Sequence, residues 1–383
     1  MKLISIEPTP SPNSMKLNLD VTLPTAERHT YNKKDTMPQP ETIRLLLAIP
    51  GVTGLYHAAD FMAIDRHPKS DWQSILSEVR SILGKQVDSD LTATSISASR
   101  TANMDAGAWG EVRVAVQFFR GIPMQVRVYA GEQQQRSGLP ERFTAAAIRA
   151  GLASPNLIME RKLEEFGIRY GELTDVLEQI SNELSASYND NRLNELVAQA
   201  ERLESGEAPK AIVSTLEAAE QVWSDPDWRI RYSALEKIKP NASTLPLLAK
   251  AIQDSQVSIR RLAAVYLGDL RTPAAMKLLF MALNDSSPIV RRTVGDTLSD
   301  IGDPVATLPM TEALKDRNKL VRWRAARFLY EVGLDSALPA LREARDDPEF
   351  EVRMQIQIAI ERMEGGEDAA GSVWQQMTNR ERT

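Results

Sequence analysis

Apolar residues recur at helical spacing through the C-terminal part of the chain. In one stretch they stand at Val290, Val294, Leu298 and Ile301, and in the next at Val321, Ala325, Leu329 and Val332. A stripe at i, i+4, i+8 and i+11 is the inward face of an amphipathic helix. Each stripe opens alike. Asp225, Asp254, Asp285, Asp316 and Asp347 follow one another at steps of 29, 31, 31 and 31 residues. Six residues after each Asp stands an Arg: Arg231, Arg260, Arg291, Arg322 and Arg353. A β-branched apolar residue precedes each Arg: Ile230, Ile259, Val290, Val321 and Val352. A second apolar helix is expected before the next Asp, at 274–283, 308–314 and 338–344. Asp suits a turn or a helix N-cap. The unit is therefore a helical hairpin, and such hairpins bury their apolar faces by stacking. The fixed step predicts a structural ladder, each Arg bonding an Asp of its own or the adjacent unit.

The front of the chain has a different period. Residues 2–7 alternate as a strand, 8–13 form a proline-rich turn, and 14–21 read as a second strand. A short helix spans 41–49 and stops at Pro50-Gly51. Val52–His57 and Phe61–Asp65 read as a strand pair turning near Ala59-Asp60. Asp71 caps a helix from Trp72 to Leu83 that ends at Gly84. Residues 85–110 have little apolar periodicity and read as a linker or mobile loop. Glu111–Phe119 and Ile122–Tyr129 alternate on either side of Arg120-Gly121, a hairpin. Residues 131–138 are polar. Helices are expected from Pro140 to Gly151, and over 157–166, 173–185, 193–203 and 208–223. Two strands make no stable sheet alone, so the hairpin must pack on the following helix or extend the first sheet. The expected architecture is an α+β N-terminal domain (1–84), a linker (85–110), a β-hairpin and helical middle region (111–220), an all-α solenoid (221–364) and a tail (365–383).

Composition narrows the chemistry. The chain has 383 residues, enough for two or three domains, and no cysteine. Disulfides, thiolate-held metals, iron–sulfur clusters and a thiol nucleophile are excluded. The N-terminus is not patterned as a signal peptide, and no run approaches the ~20 apolar residues of a membrane span. The expected location is the cytoplasm. Of the net charge of −6, residues 1–220 carry all, with 23 basic and 29 acidic groups, while 221–383 hold 23 of each. This is not the basic excess of a protein that grips nucleic acid through phosphates.

No nucleophile elbow, P-loop or dinucleotide fingerprint is present. The acidic pairs, such as Asp88/Asp90 and Asp346/Asp347, fall in linkers and turns. His29, His57 and His67 carry no metal-ligand spacing. No catalytic, cofactor or metal residue is expected. The positions left are those one step beyond the ladder arginines: Tyr232, Arg261, Arg292, Trp323 and Met354. Stacking lines them up, and Tyr, Trp, Arg and Met are enriched where proteins bind. They are the candidate partner-binding face, together with Arg327. Around Trp323 lie Lys315, Arg317, Lys319, Arg322, Arg324 and Arg327 with one Asp316 among them, a cluster that could hold a phosphate or nucleic acid. An enzyme with a site between the middle region and the solenoid is a third class, for which no set of catalytic side chains is visible.

The register over 221–364 resembles HEAT-like repeats in a short form, which implies a protein-binding scaffold. Members that hold metal use His-Glu pairs, and this region has no His. The first 84 residues resemble the N-terminal domain of Nfu-type iron–sulfur scaffold proteins, through Thr9-Pro10-Ser11-Pro12-Asn13-Ser14-Met15-Lys16, Leu45–Gly51, Gly54-Leu55-Tyr56, Asp60-Phe61-Met62 and Asp71-Trp72. The cluster-bearing half of Nfu proteins is absent, so the resemblance implies docking rather than cluster carriage. Thr9, Pro10, Pro12, Asn13 and Ser14 also read simply as a stiff turn. With residues 118–129 (FFRGIPMQVRVY) and 138–143 (GLPERF) between these two parts, the whole chain resembles the conserved virulence factor C family of Firmicutes. That resemblance implies a link to virulence-related regulation, without an implied biochemical activity; the expectation is a cytoplasmic adaptor that docks proteins through the repeat face and the Nfu-like domain, in such regulation or in iron–sulfur-linked processes.

Overall fold

The structure is a computed structural model. It describes all residues except 10, 25–26, 34–38, 68–69, 85–109, 132, 155, 203–214, 367–368 and 370–383. The expected linker at 85–110, apart from Gly110, and most of the tail therefore lie outside the described residues. Chain contacts divide the molecule into two compact units: Met1–Glu111 with Ala130–Gln133, and Val112–Tyr129 with Gln134–Thr383. The middle region and the repeats thus share one unit.

In the first unit, β1 (Leu3–Pro8), β2 (Ser14–Leu19), β3 (Arg28–Asn32), α1 (Glu41–Ala48), β4 (Val52–Ala58), β5 (Phe61–Arg66) and α2 (Trp72–Leu83) follow in order. The sheet order is β1-β2-β5-β4-β3, and the registered pairs are antiparallel. Alternation decides the core: Met15, Leu17 and Leu19 point one way from β2 and meet Met62 and Ile64 of β5, all nearly inaccessible. The apolar sides of α1 (Leu46, Leu47) and α2 (Trp72, Ile75, Val79) are buried with them. Asp71 accepts the Ser74 N–H at 2.8 Å as the α2 N-cap. Strand β3 has no counterpart in the alternation, because its five residues are mostly polar and lie at the sheet edge.

The second unit begins with a sheet ordered β8-β7-β6-β9. Its strands are β6 (Glu111–Phe119), β7 (Ile122–Ala130), β8 (Gln133–Gly138) and β9 (Arg161–Tyr170). The hairpin thus neither stands alone nor joins the first sheet; β8 and β9 complete a sheet of its own. Between them lies α3 (Glu141–Gly151). The helix expected over 157–166 is instead a turn followed by β9. Gly167, at φ +84°, disfavours helix there, and pairing with β6 supplies the backbone partners a lone segment lacks. Then come α4 (Leu173–Ser187), α5 (Asp190–Ala200) and α6 (Leu216–Gln221).

The repeats follow as hairpins: α7 (Trp228–Glu236), α8 (Leu245–Ala251), α9 (Val257–Leu270), α10 (Pro273–Ala282), α11 (Pro288–Ile301), α12 (Thr307–Ala313), α13 (Lys319–Val332), α14 (Leu338–Glu343) and α15 (Phe350–Glu364). The striped helices α9, α11, α13 and α15 are the long ones. Their stripes (Val290, Val294 and Leu298, for example) are fully buried. Neighbouring long helices approach closely: a Cβ on Gly268 would meet Thr297 at 2.4 Å.

Candidate functional site

The ladder has a single repeated geometry. Arg291 donates from Nε and Nη2 to both carboxylate oxygens of Asp316, at 2.6 and 2.8 Å, and from Nη1 to the backbone carbonyl of Asp285 at 2.7 Å. Arg231–Asp254, Arg260–Asp285 and Arg322–Asp347 repeat it. Each Arg therefore ties its own turn to the carboxylate of the next unit. Each ladder Asp is a turn residue rather than the N-cap: Asp316 accepts the N–H of Asn318, the cap residue itself, at 2.7 Å. Burial would raise the Asp254 carboxyl, but hydrogen bonds from Arg231 and the Gln256 N–H hold it below the usual range. Among the described residues Arg353, in the last repeat, keeps only carbonyl contacts, to Asp347 and Pro348.

The residues expected to form the partner face are largely covered. Tyr232, Arg261, Arg292 and Trp323 are buried, Arg292 at 2% and Trp323 at 1% exposure, and Met354 is half-buried. What covers them is the same chain. Arg292 donates to the Tyr170 hydroxyl at 2.8 Å and sits over the Tyr170 ring at 4.4 Å and the Trp323 ring at 5.6 Å. It also pairs with Asp296, which accepts from Arg324 at 2.7 Å. One step along, Arg169 and Arg261 flank the Glu183 carboxylate at 3.8 and 3.9 Å. Burial, then the neighbouring Arg261, lowers the Arg169 guanidinium to about 10. Burial also drives the Tyr232 hydroxyl well above its ordinary value. Arg327 is spent on Glu331 at 2.7 Å, both buried. The end of β9 and helix α4 thus cover Arg261 and Arg292.

Beside this contact lies a cavity of about 260 Å³, lined by Arg169, Tyr170, Arg261, Asp269, Asp296 and Asp300 among others. Burial, then Asp296 and Glu331 against the pull of Arg324, raises the Asp300 carboxyl. Among the described residues no group of three or more His, Asp or Glu could hold a metal ion.

The basic cluster is neutralised in place. Lys315 pairs with Glu343, Lys319 with Glu349, Arg322 with Asp347, Arg324 with Asp296 and Arg327 with Glu331. Arg317 meets the Ser286 carbonyl at 3.2 Å. Five of the six cations thus face carboxylates that are distant in sequence or one helical turn away, which a linear count cannot register. The phosphate and nucleic-acid reading loses its basis there.

In the first unit the turn motif is fastened from within. The Thr9 hydroxyl donates to the Ser11 and Ser14 carbonyls at 3.1 and 3.0 Å. The Pro12 carbonyl accepts from the Trp72 indole at 2.9 Å, and the Asn13 carbonyl accepts the Arg66 N–H at 2.9 Å. Ser14 opens β2, and Pro10 is outside the described residues. His29 and His57 face each other across β3 and β4.

Residues that the periodicity gave no reason to select complete the picture. Arg120, at φ +46° in the β6–β7 turn, grips Glu160 through Nε and Nη2 at 2.6 and 3.1 Å and the Ala200 carbonyl through Nη1 at 2.5 Å. The one available signal was its place before Gly121 at a turn, where a non-glycine left-handed residue demands compensation. Arg169, Tyr170 and Glu183 left no signal, since they become a cluster only through folding.

Comparison with known proteins accounts for each part. A family model described as "Virulence factor" matches residues 117–197, one described as "Scaffold protein Nfu/NifU N terminal" matches 4–90, and one for HEAT repeats matches 215–287 and 276–361. "Conserved virulence factor C" of Staphylococcus saprophyticus is 37% identical over 395 residues, covering 100% of both chains. The chain belongs to the conserved virulence factor C family. The same-named protein of Staphylococcus aureus (strain bovine RF122 / ET3-1) is 43% identical over 382 residues, 99% of this chain and 100% of that one. "Uncharacterized protein YpgR" of Bacillus subtilis is 51% identical over 379 residues, 99% and 98% of the two chains. In this virulence factor C member no helix among the described residues is long and apolar enough to cross a membrane.

One surface remains open within the family-specific middle region. Leu152, Ile158, Met159, Leu163, Phe166 and Ile168 are exposed, Met159 at 79%. Residues Arg161–Ile168 of β9 are exposed on both sides, at the end of the sheet.

Proposed function

We propose that this protein is a non-catalytic scaffold that docks another protein through the exposed apolar segment of its middle region, not through the face of the repeats that carries Arg261, Arg292 and Trp323. The observation that carries the reading is the run of large apolar side chains from Leu152 to Ile168, standing in water beside an open strand edge. Several large apolar side chains left exposed in one segment are costly for a chain that has no use for them, and such exposure marks interaction surfaces. The HEAT-like repeats, in this reading, hold the middle region in shape, since that face of theirs is already largely covered. The Nfu-like unit serves as a second docking module.

The reading is tested by placing a photo-crosslinking residue at Phe166 in the full chain in living cells, with Lys277 on α10 as the control position. A discrete adduct is expected from Phe166 and not from Lys277. Only diffuse background from both would sink the proposal.

A further inference from the structure

We infer that the free edge of β9 pairs antiparallel with β9 of a second copy of this chain, in a two-fold dimer centred on Leu163. The inference rests on the docking reading above and names the partner. Strand β9 ends the sheet order β8-β7-β6-β9, so one row of its backbone donors and acceptors has no strand beside it among the described residues. Such an edge is a template for strand addition. Gly167, at φ +84°, limits the straight run to Arg161–Phe166, because the following Ile168, Arg169 and Tyr170 line the cavity against the repeats.

The charges along the run select the occupant and its register. Edge charges ordinarily guard against pairing by setting like against like. Here the order is Arg161, Lys162, Leu163, Glu164, Glu165. A parallel in-register partner would place each charge against itself. An antiparallel copy centred on Leu163 places Arg161 opposite Glu165 and Lys162 opposite Glu164, twice over, with Leu163 against Leu163. Sliding one copy by one residue leaves a single kind of opposite-charge pairing, Arg161 with Glu164 or Lys162 with Glu165. All four charged side chains are exposed. The contact is isologous, the same patch on both copies, and closes after two chains.

Sedimentation equilibrium on the full-length chain over a concentration series tests this. The wild type is expected at twice the monomer mass at high concentration. The double variant Arg161→Glu/Lys162→Glu sets like charges at all four cross-strand contacts. Its association should weaken about 100-fold. Glu164→Lys/Glu165→Lys should do the same. The two variants mixed one to one, and a single chain carrying all four substitutions, should each recover the dimer. All four sites are exposed, and melting curves check that the folds are intact. A wild type that is monomeric throughout would overturn the inference, and so would a dimer indifferent to both double variants. A monomer that still yields the Phe166 adduct with another protein retires the dimer alone. A monomer with no adduct retires the docking reading as well.

Discussion

His57 shows how one side chain can set the acid limit of the first unit. It is 7% exposed on β4, opposite His29 on β3, and its Nε2 has no hydrogen-bond partner among the described residues. Burial first, and then the His29 charge, push it below its ordinary value, with Glu27 pulling the other way. A depressed histidine favours the neutral form in the fold. Its contribution is therefore present above the unfolded value of about 6.5 and is lost as the pH falls through that value towards the lower folded one. The melting temperature of the first unit should drop between about pH 7 and pH 5. In His57→Gln the drop should be shallower, because that variant cannot take up the proton. Differential scanning calorimetry of both chains across that range gives the comparison. Carboxylates such as Asp65, which burial raises, titrate in both, so the difference isolates His57. Parallel curves would show that this histidine is not the group that matters.

At the level of elements, the ladder makes an unequal prediction for chemically equal residues. Arg291 and Arg353 hold the same place in their repeats, but only Arg291 reaches a carboxylate in a following unit. Removing one member of a buried pair strands the other, at about 3 kcal/mol or more. Losing carbonyl contacts alone costs about 1 kcal/mol each. Arg291→Met should therefore lower stability by about 3 kcal/mol, and Arg353→Met by 1–2 kcal/mol, in urea unfolding followed by circular dichroism. Equal losses would mean that the inter-unit carboxylate adds nothing beyond the turn. The ladder could be read in the chain because its information is local and repeated: five Asp and five Arg in one register leave few alternatives. The elements β3, β8 and β9 could not be read so. RHTYN and QQQRSG offer no apolar alternation, and RKLEEFGIRY mixes charge with isolated apolar residues. Their order comes from neighbours, β4, β7 and β6, which no window along the chain includes. For the same reason the register that selects Arg261 and Arg292 gave no sign of Tyr170 and Glu183, which meet them in the fold.

At the scale of the second unit, that contact is the main structural fact, and it couples the family-specific region to the repeats. Helices of a solenoid touch only their neighbours, so an element laid across several of them adds contacts the repeats do not make alone. The end of β9 and α4 do this, with Tyr170 on Arg292 of α11 and Glu183 between Arg169 and Arg261 of α9. The Arg292 guanidinium lies against two rings, Tyr170 and Trp323, where a cation gains up to about 2 kcal/mol once desolvated. If Tyr170 seals the face that carries Arg292 and Trp323, Tyr170→Ala should let water reach Trp323 while the ladder and the helices stay intact. Acrylamide should then quench the Trp323 emission, taken as the difference between chains with and without Trp323→Phe, more strongly than in the parent. Tyr170→Phe should keep the ring contact, lose only the 2.8 Å hydrogen bond, and remain close to the parent. Quenching unchanged in Tyr170→Ala would mean that the repeats bury Trp323 by themselves. The middle region would then rest on the solenoid without closing it, and that face would again be open to a partner.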